Sequence, residues 1–390
     1  MESKIARRLI LFIILVALAF DAVAGRRVFG VEEKYIRVAI LKDVPSFTLA
    51  IKGKFDLVQV KTGRTDRQRK VLNEAKVRPG VDGLMIGPEK FMVDQVKIIP
   101  QRDATIFVNN RRFRGEVNII KNNQERFTVV NHVELEDYIK GVLYHEVSHH
   151  WSLETFKVQA IATRTYAFYR MKQGRTQDYD LTDDIYSQVY GGRSSERYRT
   201  NIAVNKTKGL VLTYQGQILP AYFHAACGGR TEDVSELWKE DLPPLKGVTC
   251  TFCKDSPHYS WKKNFRLSDI QNKLNSKGYQ LGLIKEISVA ERNKSGRIRL
   301  LEIMTRDGQK ATVSGKDFRN IIGPNLLKSN NYEIIMKGYF MDLFGQGWGH
   351  GVGMCQWGVN AMARLRYKHD EILKYYYPGA EIGGYEAYGF

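Results

Sequence analysis

The chain has 390 residues, a hydrophobic fraction of 43% and 60 Lys+Arg against 42 Asp+Glu, for a net charge of +18. This composition excludes a disordered polymer and leaves room for two compact domains. The basic excess favours a polyanionic partner: nucleic acid, an anionic membrane face or an acidic cell-envelope polymer.

At the N-terminus Lys4, Arg7 and Arg8 precede an apolar run, Leu9 to Phe20, followed by Ala22-Val23-Ala24. That order is the pattern of a secretory signal spanning residues 1–24. The run falls short of the ~20 residues that cross a bilayer as a helix. Cleavage after Ala24 is therefore expected, with an uncleaved N-terminal membrane anchor as the second reading. An exported protein does not meet chromosomal DNA, so no nucleic acid partner is expected.

From Tyr35 to about Arg126 short β-branched segments (Tyr35–Ile40, Phe47–Ile51, Phe55–Val60, Glu116–Ile120) predict a β-rich N-terminal lobe over 30–125. The charged stretch from Lys61 to Arg78 is expected to be a mobile loop. From Val133 the signals turn helical. Acids at Glu134, Glu136 and Asp137 open a first helix, and Ser152 caps a second that reaches about Met171. The link Val147-Ser148-His149-His150-Trp151 is expected to be a bend that presents side chains. Strands then return (Leu210–Tyr214, Ile218–Phe223, Leu283–Ala290, Ile298–Met304, Ala311–Val313, Tyr332–Met336, Phe340–Phe344). Helices near Gln356–Leu365 and Asp370–Tyr375 close the chain. Strands and helices without regular alternation predict an α+β fold: a helical catalytic region combined with β-rich segments, plus the N-terminal lobe, with the main domain at 126–390.

His145-Glu146-Val147-Ser148-His149 matches H-E-x-x-H, which on a continuous helix would bind zinc and make the glutamate a protease's general base. Trp151-Ser152 reads as a new helix start, which weakens that reading. Four cysteines occur: Cys227, Cys250, Cys253 and Cys355. His224-x-x-Cys227 with Cys250-x-x-Cys253 has the spacing of a structural zinc site. A disulfide is the competing reading, since export permits oxidation. Cys355 is taken as a small packed residue. The stretch Gly345–Gly358 interleaves glycines with Trp348, His350, Gln356 and Trp357, as a tight loop presenting polar and aromatic groups to a cleft would, a packed turn beneath a helix with His350 in the core being the plain alternative.

The run Glu134-Leu135-Glu136-Asp137-Tyr138-Ile139-Lys140-Gly141-Val142, then Glu146, Trp151 and Leu153 to Ala160, ending Ala162-Thr163-Arg164-Thr165-Tyr166-Ala167, resembles the stage II sporulation protein D (SpoIID) and LytB amidase-enhancer family. Further matches are Ser187 to Gly192, Phe223-His224 with Gly228 to Glu232, Trp238, Phe318-Arg319 and Gly347 to Gly358. The resemblance covers roughly residues 115 to 383. It implies an exported enzyme acting on peptidoglycan glycan strands, with Glu146 as the catalytic residue. The implied chemistry is that of a lytic transglycosylase, in which one carboxyl protonates the oxygen between N-acetylmuramic acid and N-acetylglucosamine. It then takes the proton of the muramyl C6 hydroxyl, giving a 1,6-anhydro end and requiring no cofactor. A non-catalytic wall-binding activator of a cell-wall amidase is the alternative the family also implies, and makes such an amidase a candidate partner. Arg164, Tyr166 and Gln188 are candidate sugar contacts, packing with an ion pair being the plain alternative. Trp348, His350 and Gln356 join them, and Tyr144, Trp151 and Trp348 are candidates for the apolar wall that keeps the acid protonated. In the family the position of His224 is usual, so His224 could belong to the cleft instead of the metal set.

Overall fold

The computed structural model describes residues 34–174, 177–184 and 187–388; the proposed signal segment at 1–24 lies outside them. The architecture is α+β. The chain from Tyr35 onward forms one compact unit, dominated by an eleven-stranded sheet. In this sheet Tyr35–Val44 pairs antiparallel with Phe127–Glu134, which pairs with Glu116–Lys121. Leu181–Thr182, from the far side of the boundary expected at 125/126, adds a short parallel strand against Tyr35–Val44.

The charged stretch expected to be a loop is a turn only over residues 61–64; from there it is a strand, Thr65–Gly80, paired along Phe47–Gln59. Its Val77 is fully buried opposite Phe47. The charges that suggested a loop, Arg67, Lys70, Glu74, Lys76 and Arg78 among them, are exposed side chains of this strand of the large sheet.

Phe127–Glu134 runs directly into helix α1 (Leu135–Glu146). Leu135, Tyr138, Ile139, Val142 and Leu143 recur on one helical face and are buried against the sheet. The central helix α2 (Leu153–Gln173) begins where Ser152 Oγ accepts the Thr155 N–H at 3.2 Å. α2 is buried around most of its circumference between two hydrophobic cores. Three shorter helices were not anticipated: α3 (Tyr198–Lys206), α4 (Leu267–Asn275) and α5 (Gly315–Ile322). Each is under three turns, too short for periodicity to stand out. Helices α6 (Gln356–Arg364) and α7 (His369–Tyr376) complete the series.

Phe223–His224 and Met354–Cys355 pair in parallel. Much of the chain between them is an inserted lobe with its own core around Trp261, Leu301, Phe318 and Tyr332. One sheet combines Ser260–Arg266, Phe340–Gln346 and Tyr332–Lys337; another combines Ile284–Arg292, Ile298–Thr305 and Lys310–Ser314. Buried Arg297 ties the lobe down, donating to the Cys227 carbonyl at 2.8 Å and the Arg230 carbonyl at 3.1 Å. Among the described residues no helix is long and apolar enough to cross a membrane.

Candidate active site

A cleft of about 490 Å³ opens where the helical region, the glycine-rich segment and the inserted lobe meet. Glu146 is the last residue of α1, and the chain turns extended at Val147 (φ −136°, ψ 145°). Burial raises its pKa from 4.5 to about 7, against the opposing hydrogen bonds of the Val189 backbone and the Gln356 side chain. Its place at a helix C-terminus, where negative charge is disfavoured, acts in the same direction as burial. The outcome is a carboxyl that can both hold and release a proton near neutrality. A second carboxylate, Asp184, also lines the cleft. It is exposed and accepts a hydrogen bond from Thr182 Oγ1 at 3.0 Å.

The wall facing the acid is aromatic. Tyr222 stacks on Trp238 with centroids 4.5 Å apart, and Tyr166 meets Tyr222 at 5.8 Å. Trp348 is held between the edge of His258 at 4.4 Å and the Lys328 ammonium at 5.3 Å. Of the three residues expected to form the wall, only Trp348 lines the cleft. Tyr144 lies under the Arg197 guanidinium and Trp151 packs against Trp357.

His350 and His224 are both desolvated and neutral. The Val352 N–H donates to His350 Nδ1 at 3.1 Å, so Nε2 carries the proton that bonds the Phe223 carbonyl at 2.9 Å. Burial, and then the nearby Arg319 charge, push the His350 pKa down to about 4. His224 lies against the Val352 carbonyl through Nδ1 at 3.1 Å, and burial holds its pKa well below the usual range. The backbone can approach this closely only because Gly349 has no side chain: at φ 115° a Cβ there would stand 2.7 Å from that of His224.

The expected sugar contacts divide. Tyr166, Trp348, His350 and Gln356 line the cleft together with Glu146. Arg164 does not: it is wholly buried, with Nε and Nη2 on the Glu136 carboxylate at 2.8 and 2.7 Å and Nη1 on the Leu210 carbonyl at 3.0 Å. Gln188 is likewise buried, accepting from Tyr138 Oη at 2.9 Å, while its neighbours Ser187 and Val189 reach the cleft. Tyr222, Trp238 and Arg319 line the cleft without having been singled out. Trp238 and Arg319 belong to the stretches that carried the family resemblance, which was the available signal.

Two metal readings change. α1 ends at Glu146, so His145 and His149 do not share a helical turn; His145 Nε2 bonds Ser195 Oγ at 2.6 Å and His149 packs on His150. The H-E-x-x-H zinc site is not assembled. The cysteine site is assembled with a different fourth member. The sulfur atoms of Cys227, Cys250, Cys253 and Cys355 lie within 4.8 Å of one another, fully enclosed, as a group able to hold a metal ion. His224 belongs to the cleft, and Cys355 takes its place. Sequence spacing missed this because Cys355 is brought to Cys227 only by the parallel pairing of Phe223–His224 with Met354–Cys355. The donors fit a soft divalent ion: tetrahedral thiolates at ~2.3 Å from zinc stand about 3.8 Å apart. Cys227 and Cys253 are 3.4 Å apart. The N–H groups of Cys227 and Gly358 point at the Cys355 sulfur at 3.3 and 3.4 Å, as backbone donors do around metal thiolates.

The class of protein so defined is an α+β protein with a half-buried acid of raised pKa in an aromatic cleft, and a buried four-cysteine cluster. A family model described as "Stage II sporulation protein" (SpoIID) matches residues 123–214, and one described as a domain of unknown function matches 249–353. An uncharacterized protein of Brachyspira hyodysenteriae is 33% identical over 71% of this chain and 74% of its own. The Stage II sporulation protein D of Bacillus subtilis is 31% identical over 66% of this chain and 77% of its own. The Amidase enhancer of Bacillus subtilis is 28% identical over 63% of this chain and 40% of its own. The chain belongs to the SpoIID family.

Proposed function

We propose that this protein acts on the bacterial cell wall as a lytic transglycosylase of peptidoglycan. The single observation that carries the reading is the Glu146 carboxyl, desolvated to a pKa of about 7 at the base of an aromatic cleft. Protonated Glu146 donates to the oxygen linking N-acetylmuramic acid to N-acetylglucosamine, and the C1–O bond breaks. The resulting carboxylate takes the proton of the muramyl C6 hydroxyl as that oxygen closes on C1. The proton is back on Glu146 at the end, and no water is consumed, so a second carboxylate is not required. Tyr166, Trp348, His350 and Gln356 surround the sugar in this reading, and the stacked Tyr222–Trp238 pair offers a flat apolar face. The names and similarity of the relatives support a cell-wall role, and the expected signal at residues 1–24 supports export to the envelope.

A zinc ion on Cys227, Cys250, Cys253 and Cys355 would be structural, its four protein ligands leaving no open position for chemistry. It would fasten the segment after His224 to the start of α6.

Mass spectrometry of purified cell wall digested by the wild type and by Glu146→Gln tests the reading. The wild type should release 1,6-anhydro ends and the variant none. Hydrolysed reducing ends in place of anhydro ends, with dependence on Asp184, would point to a two-carboxylate glycosidase. The relative named Amidase enhancer favours a second reading, a non-catalytic activator. It requires Glu146→Gln to bind glycan and stimulate an amidase as well as the wild type does.

A further inference from the structure

The inserted lobe sends into the cleft one charge that the proposed reaction does not use. Arg319 lies in the last turn of α5 and lines the cleft with Asn320 and Asn325. Its Nε donates to the Leu327 carbonyl at 2.9 Å and its Nη2 to the Pro324 carbonyl at 3.3 Å. These bonds occupy one side of the guanidinium and fix its plane. Nη1 has no acceptor among the described residues, and no Asp or Glu among them pairs with Arg319. The arrangement differs from that of Arg164, Arg114 and Arg37, each of which lies on a carboxylate. Partial burial lowers the Arg319 pKa to about 10, so the group stays charged at neutral pH. An oriented, partly buried guanidinium with no counter-charge at the wall of a cleft is well placed to meet a ligand that supplies the charge. The nearby imidazoles of His224 and His350 are neutral, and Lys328 adds a second cation above Trp348.

We propose that Arg319 is a specificity-determining residue that clamps a carboxylate of the glycan substrate with its unused Nη1/Nη2 edge. The planar fork of arginine matches a carboxylate in two-point geometry, which an ammonium cannot reproduce. The proposal rests on the glycan-cleaving reading and adds to it the anion that the site recognises. Two sources share this chemistry: the lactyl group of a peptide-free muramyl residue, and the stem peptide of a peptide-bearing one.

Binding measured in a Glu146→Gln background, where no turnover interferes, tests it. The probes are peptide-free and peptide-bearing glycan strands, each with native carboxylates or with carboxylates converted to N-methylamides. Native strands should bind about tenfold or more tightly than amidated ones, the scale of a charge-assisted hydrogen bond. Arg319→Gln should remove that difference without weakening the amidated strands further, and Arg319→Lys should restore part of it. Discrimination confined to peptide-free strands assigns the lactyl carboxylate, and discrimination confined to peptide-bearing strands assigns the peptide. Equal binding of native and amidated strands by the parent overturns the role of Arg319, whatever happens to the fold of its variants. Equal weakening of both strand types by Arg319→Gln overturns it as well. Failure to bind any strand overturns the glycan reading itself.

Discussion

Glu136 on α1 and Arg164 on α2 form a two-pronged ion pair, at 2.8 and 2.7 Å, from which solvent is excluded. Glu136 Oε1 also accepts the Gly209 N–H at 3.1 Å, and Arg164 donates to the Leu210 carbonyl, so the pair fastens α1, α2 and the strand Leu210–Tyr214 together. α1 carries Glu146 at its end, and the pair therefore acts on the acid through the helix and not through the substrate. Replacing Arg164 by Ala leaves Glu136 buried without its partner. We expect a loss of about 3–5 kcal/mol in unfolding free energy, measured by denaturant titration. Glycan affinity of the remaining folded fraction should be unchanged; a selective loss of affinity with stability intact would put Arg164 back in the binding site.

The carboxyl proposed to do the chemistry should leave a mark on stability. The Glu146 pKa is raised from 4.5 to about 7 in the folded state. The folded protein thus holds the proton more tightly than the unfolded chain. Its contribution is fully present below about pH 4.5 and is lost as the pH rises to about 7, a change of up to ~3 kcal/mol. Glu146→Gln cannot ionise and should gain on the wild type across that interval, with the gap levelling off above it. Thermal unfolding of both proteins from pH 4 to pH 8 checks this, and parallel curves would mean that Glu146 is not desolvated.

Glycan cleavage should fall as the pH rises through about 7, because the first step needs Glu146 protonated. On the acid side His350 should not contribute a limb until about pH 4. Its imidazole should be found with the proton on Nε2 at neutral pH, as its hydrogen bonds to Phe223 and Val352 require. Long-range proton–nitrogen NMR reads the tautomer directly. The Nδ1–H form, or a His350 that titrates near 6.5, would contradict the site geometry.

Metal analysis separates the two cysteine-site assignments. One zinc per chain is expected in the purified protein. It should be lost in Cys250→Ser and in Cys355→Ser, and kept in His224→Ala and in the His145→Ala/His149→Ala double variant. A site built with His224 would give the reverse pattern for His224 and Cys355. Chelation should also lower the melting temperature, since Cys227, Cys250 and Cys355 lie in the core shared by α2, α6 and α7.

Sequence by itself determined many of the local elements and singled out Glu146 as the candidate acid. The apolar spacing on α1, the Ser152 cap and the chain of motifs around Glu146 are properties of neighbouring residues, and neighbours set helix faces and caps. The β-branched runs Tyr35–Ile40 and Glu116–Ile120 likewise mark strands whichever partner they choose, whereas Phe127–Glu134 is recognisable as a strand only where it pairs with both. What required tertiary structure was every choice between distant groups. Arg164 reads equally well as a sugar ligand or a packed ion pair, and only the burial of Glu136 beside it decides. Lys61 to Arg78 reads as a loop until Phe47–Gln59 is laid against it. The cysteine set is the sharpest case. Spacing offers His224 beside Cys227, whereas the fold brings in Cys355 from 128 residues away. Metal ligation depends on where side chains meet in space, and a parallel strand pair can bring together residues that sequence distance keeps apart.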